Sequence, residues 1–156
     1  MNDIEMFNRS EELKPLLKNY LMSTGHYKYA VDASEEADIK THYDVHAVLL
    51  DGTSRFIDFK DVKEHNWNSG NILIKKTVVE FWKSEPKKLI ENYWLGVSEY
   101  ASKEAYDNRD PKIFIVKVDD VMSNYMADLD ASLESNNGEY ALISIEKLKK
   151  LEHEYI

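Results

Sequence analysis

The 156-residue sequence contains no cysteine, which excludes disulfide bonds and zinc sites built on thiolates. A reducing cytoplasm is therefore the expected location. No apolar run approaches the length of a membrane span, so we expect a soluble protein with no membrane partner. The five glycines form no glycine-rich phosphate loop and no nucleophile elbow, and no internal repeat is present. The length is that expected of one domain, spanning residues 1–156.

Positive charge is also scarce. The net charge of −9 argues against a general nucleic-acid binder, because phosphate contacts need a basic face. The charges are unevenly distributed, with eight Lys/Arg against seven Asp/Glu between Tyr43 and Ile90, but seven against fourteen from Glu91 to Ile156. The acidity therefore lies mainly in the C-terminal part of the chain.

The stretch Tyr43–Lys60 contains the residues with the clearest chemical meaning. Its sequence, YDVHAVLLDGTSRFIDFK, indicates two strands joined at Asp51-Gly52, a strong hairpin signal. Asp44 opens the first strand, and Asp58 and Lys60 share one side of the second because side chains alternate along a strand. Two carboxylates can hold magnesium, and a lysine can orient the attacking water or stabilise developing negative charge. This combination is typical of metal-assisted phosphodiester cleavage.

The register of the hairpin decides whether these residues can meet. With a two-residue turn, Leu50 pairs with Thr53, and Asp44 points to the face opposite Asp58 and Lys60. A three-residue loop or one bulge shifts the register by one residue and brings all three side chains to one face. A shared metal site therefore requires an odd loop or a bulge.

An acid, a gap of about a dozen residues and then D-x-K on a second strand resembles the pattern of the PD-(D/E)xK nuclease superfamily. Asp44, Asp58 and Lys60 match the motif, while Tyr43 stands where the family has proline. The resemblance implies a restriction-endonuclease-like fold, which is a mixed central sheet flanked by helices. It also implies a magnesium- or manganese-dependent endonuclease, with Asp44, Asp58 and Lys60 as catalytic residues and nucleic acid as substrate, DNA more often than RNA. A homodimer is a further expectation from the resemblance.

The resemblance also implies a glutamate ligand from a preceding helix. Glu35 and Glu36, in the segment SEEAD, are the candidates, and Glu36 is preferred as a metal ligand because it is nearer to Asp44. The alternative for this segment is a solvated acidic turn. For Asp58 and Lys60, the alternative is an ion pair that serves only the fold.

Four residues after the D-x-K strand are candidates for contacts with nucleic acid. The polar segment Lys63–Asn71 offers Trp67 for base stacking and His65 as a hydrogen-bond donor. In the resembled family, the next helix often lends a basic side chain to the site, a role open to Lys75 or Lys76. The alternatives are a Trp67 packed beneath its own loop and two lysines on a solvated helix face.

The rest of the chain predicts the order helix, hairpin, helix, two strands, helix. This order indicates an α/β or α+β domain with a mixed central β-sheet flanked by helices. The individual predictions are a loose leader Met1–Arg9, a helix from Ser10 to Leu21, an extended segment His26–Val31, a helix from Ile72, strands at Leu89–Tyr100 and Lys112–Val118, a short helix through Met126, an extended segment Glu139–Ile143, and a last helix capped by Ser144 with Tyr155 facing inward.

A non-enzymatic role is the main alternative. An acidic interaction protein or inhibitor would present acidic side chains to a basic protein partner. The candidates in the C-terminal part are Asp119, Asp120, Asp128 and Asp130. A nuclease-like fold with a non-functional site is a third interpretation.

Overall fold

The computed structural model describes residues 3–34, 42–62, 70–84 and 90–156, with the side chains of 3–10 left aside. The helices in this part of the chain are α1 (Asp3–Ser23), α2 (Lys76–Ser84), α3 (Lys103–Asp107), α4 (Val118–Ser135) and α5 (Ile145–Lys149). The strands are β1 (Tyr27–Asp32), β2 (Val45–Leu49), β3 (Ser54–Lys60), β4 (Asn71–Lys75), β5 (Tyr93–Glu99), β6 (Lys112–Lys117), β7 (Tyr140–Ser144) and β8 (His153–Tyr155). None of these helices has the length and apolar character that crossing a membrane requires.

A mixed six-stranded sheet forms the centre of the molecule, in the order β1-β2-β3-β5-β6-β8. Strands β3 and β5 are parallel, and every other neighbouring pair in this sheet is antiparallel. Strands β4 and β7 form a separate antiparallel pair. The domain is thus a mixed α/β domain, in agreement with the coarse prediction.

Apolar side chains cover both faces of the central sheet. On one face, α1 contributes Leu13, Leu17 and Leu21, which recur every four residues and are almost fully buried. They pack against alternate residues of the strands: Val45, Ala47, Ile57, Phe59, Trp94, Ile113 and Ile115. The opposite face of the sheet packs against α2, α4 and α5 through Tyr93, Leu95, Val97, Phe114 and Val116. Helices therefore flank the sheet on both sides.

The first helix begins earlier than predicted. It starts at Asp3, so the prediction of a loose leader from Met1 to Arg9 was wrong. Residues 3–14 contain neither glycine nor proline, and nothing in their sequence ends a helix upstream of Ser10. The end of the helix agrees with the prediction, because Gly25 follows it in a left-handed conformation, at φ 76°.

The segment after residue 70 is a strand before it becomes a helix. Ile72 and Ile74 are buried alternately along β4, which pairs with β7 about 70 residues later in the chain. The predicted helix from Ile72 therefore begins only at Lys76. Its predicted apolar stripe is confirmed, since Val78, Phe81 and Trp82 are buried.

The C-terminal elements also differ in length from the predictions. Helix α4 continues to Ser135 instead of ending near Met126, because no glycine or proline interrupts it and Leu129 is buried in the core. The last helix is shorter, and ends at Lys149. Ser144 caps it as predicted, accepting the Lys147 N–H at 3.0 Å. Tyr155 lies in β8 and is exposed, so its predicted inward position was wrong.

Candidate functional site

The hairpin between β2 and β3 has a three-residue loop. Val45 lies opposite Ile57, and the Leu49 N–H donates to the Thr53 carbonyl at 2.9 Å. The loop between the paired residues is therefore Leu50–Gly52, three residues instead of two. The regular pairing ends at Val45, because the Asp44 N–H also donates to the Ile57 carbonyl, at 2.8 Å, and not to residue 58.

Asp58 and Lys60 lie on the face of β3 that is turned away from α1. The neighbouring residues Ile57 and Phe59 pack on α1, so alternation directs Asp58 and Lys60 to the other face. Asp58 is only 4% exposed, and its Oδ1 lies 3.2 Å from Lys60 Nζ. A lysine at this distance offsets the electrostatic cost of burying the carboxylate.

These residues lie where the parallel strands β3 and β5 end. In the parallel pairing, Asp58 is beside Leu95 and Lys60 is beside Val97. Both strands run toward this edge of the sheet, and β2 starts there with the residue that follows Asp44. In open α/β sheets, ligands bind outside the carboxyl ends of the parallel strands. The edge is therefore a favourable place for a binding site.

Asp44 holds the end of the hairpin. Its Oδ2 accepts the Phe59 N–H at 2.7 Å, and its Oδ1 lies 3.7 Å from Nζ of Lys14 on α1. The carboxylate thus takes the place of a backbone acceptor in the ladder beyond Val45. Sequence reasoning missed the contact with Lys14, because the orientation of α1 on the sheet is not encoded locally.

A second polar group adjoins this edge. Asp61 follows Lys60 directly, and its Oδ1 accepts hydrogen bonds from the Ser98 hydroxyl and, at 2.7 Å, from the Tyr100 hydroxyl. Ser98 is fully buried at the end of β5. The sequence analysis did not identify these residues, although a serine directly after the apolar run YWLGV was a detectable signal.

A cavity of about 420 Å³ opens beyond the ends of β3 and β5. Val62 and Ile145 supply apolar lining, and Tyr100, Glu99 and Lys149 supply polar groups. Lys149 Nζ lies 3.1 Å from Glu99 Oε2, and this hydrogen bond, with a smaller contribution from Tyr155, raises the pKa of Lys149. The lysine is therefore protonated at neutral pH.

The remaining predicted site residues have different outcomes. Glu36, its alternative Glu35, His65 and Trp67 lie outside the described residues. Lys75 is exposed at the end of β4, and Lys76 begins α2 and lies 3.6 Å from Glu80. Within the described ranges, no contact joins these two lysines to Asp58.

The described residues contain no group of three or more histidines, aspartates or glutamates arranged to hold a metal ion. Asp44 and Asp58 by themselves supply two carboxylates, the hard oxygen ligands that magnesium prefers. The predicted third ligand, Glu36, belongs to the segment 35–41, which is not described.

Comparison with known proteins gives no family for the chain. No protein-family model matches the sequence, and a search of curated proteins found no significant match.

Proposed function

We propose that the chain is a metal-dependent endonuclease-like phosphodiesterase acting on nucleic acid, with a restriction-endonuclease-like fold. Asp44, Asp58 and Lys60 are the residues that carry the proposal. The observation that supports it most is the hydrogen bond at 2.7 Å from the Phe59 N–H to Asp44 Oδ2, because Phe59 lies between Asp58 and Lys60. This hydrogen bond holds the Asp44 carboxylate beside the backbone of the D-x-K segment.

The sheet architecture is compatible with this fold. The central sheet is mixed, and helices pack on both of its faces. The D-x-K residues end a strand that is parallel to its neighbour β5. Fold alone does not supply function, so the proposal depends on the side chains at the strand ends.

The donor set fits a hard divalent cation. Asp44 and Asp58 would hold magnesium or manganese, with Glu36 as the proposed additional ligand. Such a cation, when bound, withdraws charge from the phosphate and favours ionisation of water. Asp58 is suited to this role because its carboxylate is held in a nearly dry environment, where it interacts strongly with a cation.

Lys60 supplies the positive charge at the reacting phosphate. Its ammonium group is anchored on Asp58 Oδ1 at 3.2 Å and remains partly exposed, so another of its protons can reach a ligand. In the hydrolysis, the oxygen of water forms a new bond to phosphorus and the bridging P–O bond breaks. The proton released by the water balances the leaving alkoxide. The lysine orients the water and stabilises the negative charge that develops on the phosphate.

The test combines metal binding with cleavage. Magnesium or manganese should raise the melting temperature of the wild-type protein, because only the folded state assembles the ligands. At a metal concentration a hundredfold above Kd, the stabilisation is about 2.7 kcal/mol. Asp58→Asn should lose most of this shift and should lose cleavage of plasmid and single-stranded substrates.

Two further variants make the result specific. Asp44→Asn keeps an oxygen that can accept the Phe59 N–H, so it removes the charge while retaining the cap on the strand. Asp107→Asn, at an exposed carboxylate on α3, is the matched control and should retain both the metal shift and cleavage. An equal metal-induced shift in wild type and in the Asp44→Asn/Asp58→Asn double variant would refute the site.

A further inference from the structure

We propose that the cavity beyond β3 and β5 binds the nucleoside next to the scissile phosphate. This inference rests on the proposed nuclease function and adds a substrate subsite to it. The cavity is lined in part by Val62, Glu99, Tyr100, Ala101, Ile145 and Lys149. Its volume of about 420 Å³ is in the range of pockets that hold small organic ligands.

The position of the cavity relative to Lys60 is the first argument. Lys60 is paired with Val97 on β5, and Glu99 lies two residues further on the same face of that strand. Val62, on the cavity wall, lies two residues beyond Lys60. Two residues of extended chain span about 7 Å. The cavity is therefore the space next to a phosphate held at Lys60, in the direction in which β3 and β5 run.

The chemistry of the lining is the second argument. The cation Lys149 is already joined to Glu99, and Glu146 adds another negative charge to the lining. These charges disfavour a phosphate inside the cavity. Carboxylates instead accept hydrogen bonds from sugar hydroxyls and base amino groups. Val62 and Ile145 offer apolar contacts, and the Tyr100 ring offers an aromatic one, for the faces of a base.

The polar groups of the cavity are held in place before a ligand binds. Glu99 accepts hydrogen bonds from Lys149 at one oxygen and from the Tyr155 hydroxyl at the other, at 2.7 Å. Each carboxylate oxygen has a second lone pair for a ligand. The Tyr100 hydroxyl is fixed on Asp61, and its ring packs edge-on against Tyr106. Groups fixed in advance lose little entropy when they bind a ligand.

Filling the cavity is the sharpest test. Ala101 lines it and is exposed, so Ala101→Leu occupies space without replacing a buried side chain. The matched control is Ala127→Leu, at an exposed alanine on α4. The main cleavage position of one oligonucleotide is mapped first. The substrate is then remade with an abasic nucleotide on either side of that position.

The expected result is a coupling between the variant and the base. Ala101→Leu should raise KM for the intact oligonucleotide about tenfold, as expected for losing the contacts of one base, with kcat nearly unchanged. On one of the two abasic substrates it should have no effect on KM. The Ala127→Leu control should match wild type throughout. An equal effect of Ala101→Leu on the intact and both abasic substrates, or no effect on any, would overturn the subsite and leave the nuclease proposal standing.

A binding measurement without metal separates the two proposals. Adenosine and thymidine are titrated into the wild-type protein, and the amide resonances of residues 98–102 are followed by NMR. At least one nucleoside should shift these resonances in wild type and not in Ala101→Leu, whereas inorganic phosphate should leave them unchanged. Nucleoside binding without any cleavage would refute the nuclease proposal and retain the pocket. Shifts that persist in Ala101→Leu, or that appear with phosphate alone, would refute the nucleoside site.

Discussion

At the scale of single residues, the buried carboxylate of Asp58 has the most consequences. Among the described side chains, no other charged group is as deeply buried. Its ion pair with Lys60 contributes to the fold and also positions the lysine at the edge of the sheet. A structural role for this pair predicts an effect on the free energy of unfolding. A catalytic role predicts an effect on cleavage.

A double-mutant cycle measures how much the interaction between Asp58 and Lys60 contributes to the free energy of unfolding. Lys60→Met keeps the apolar stem and removes the charge, so the buried carboxylate loses its cation. We expect a loss of about 2 kcal/mol in the free energy of unfolding, because Lys60 is partly exposed and solvent replaces some of the interaction. Asp58→Asn/Lys60→Met should recover part of this loss, which urea unfolding will show.

The exposed pair Lys76–Glu80 is the matched control. Both side chains are more than half exposed, and Nζ lies 3.6 Å from the carboxylate. The same cycle there should give a coupling energy under about 0.5 kcal/mol. Equal coupling energies at the two pairs would contradict a special contribution from the buried carboxylate.

Tyr27 gives a prediction for alkaline pH. It is buried, and burial raises its pKa above the ordinary value of 10.0, although the neighbouring Arg55 opposes the shift. The folded state therefore favours the neutral phenol. The corresponding stability is present below pH 10 and is lost as the pH rises through the folded-state pKa.

The measurement is the free energy of unfolding as a function of pH. Burial also raises the pKa of Tyr20, so the wild-type protein should lose stability steadily above pH 10. Tyr27→Phe should lose less free energy of unfolding over that pH range, measured for each protein relative to its own value below pH 9. Identical slopes in the two proteins would show that Tyr27 ionises equally easily in the folded and unfolded chains.

At the scale of elements, the hairpin loop controls the candidate site. Gly52 has a φ of 91°, a conformation that side chains with a Cβ rarely adopt. Asp51 Oδ1 accepts the Thr53 N–H at 2.9 Å, and this hydrogen bond lowers the pKa of Asp51. Together they form a tight loop that sets the register of β3 against β2.

Substitution of Gly52 tests this loop. Gly52→Ala should destabilise the protein by about 1 kcal/mol, because alanine is strained at positive φ. Gly52→Asn should cost less, since asparagine tolerates positive φ better. Chemical denaturation of the three proteins gives the comparison. Stability that is equal in all three would mean that the loop does not hold this conformation.

At the scale of the whole molecule, the net charge of −9 is the property that the proposed nuclease function must accommodate. Part of this charge is matched by lysines within the fold. Asp130 lies 2.5 Å from Lys83, and Asp128 lies 3.8 Å from Lys147. Asp119 and Asp120 lie in the first turn of α4, where negative charge stabilises a helix.

Neutralising two of these acidic residues distinguishes the enzyme hypothesis from the acidic-inhibitor hypothesis. Asp128→Asn/Asp130→Asn should leave cleavage within about twofold of wild type, and stability within about 1 kcal/mol, because exposed ion pairs contribute little. The assay is cleavage at moderate salt, beside a pull-down from cell extract. A basic protein retained by wild type and lost by the variant, with no cleavage by either, would favour the inhibitor.

Several features of this protein follow from its sequence alone. Asp58 and Lys60 are two residues apart, so both side chains lie on the same side of a strand, whatever that strand pairs with. The spacing of Leu13, Leu17 and Leu21 fixes the buried stripe of α1. Ser144 caps α5 because its hydroxyl needs only the N–H three residues ahead. Each of these depends on neighbours within one or two turns of chain.

Other features were decided only by the tertiary structure. Asp51-Gly52 permits both a two-residue and a three-residue loop, and the packing of alternate hairpin residues against α1 selects one register. Residues 71–75 form a strand because β7 is available to pair with them. The cavity depends on α5 meeting the ends of β3 and β5. These outcomes depend on contacts between segments distant in sequence, whose free energies local patterns do not contain.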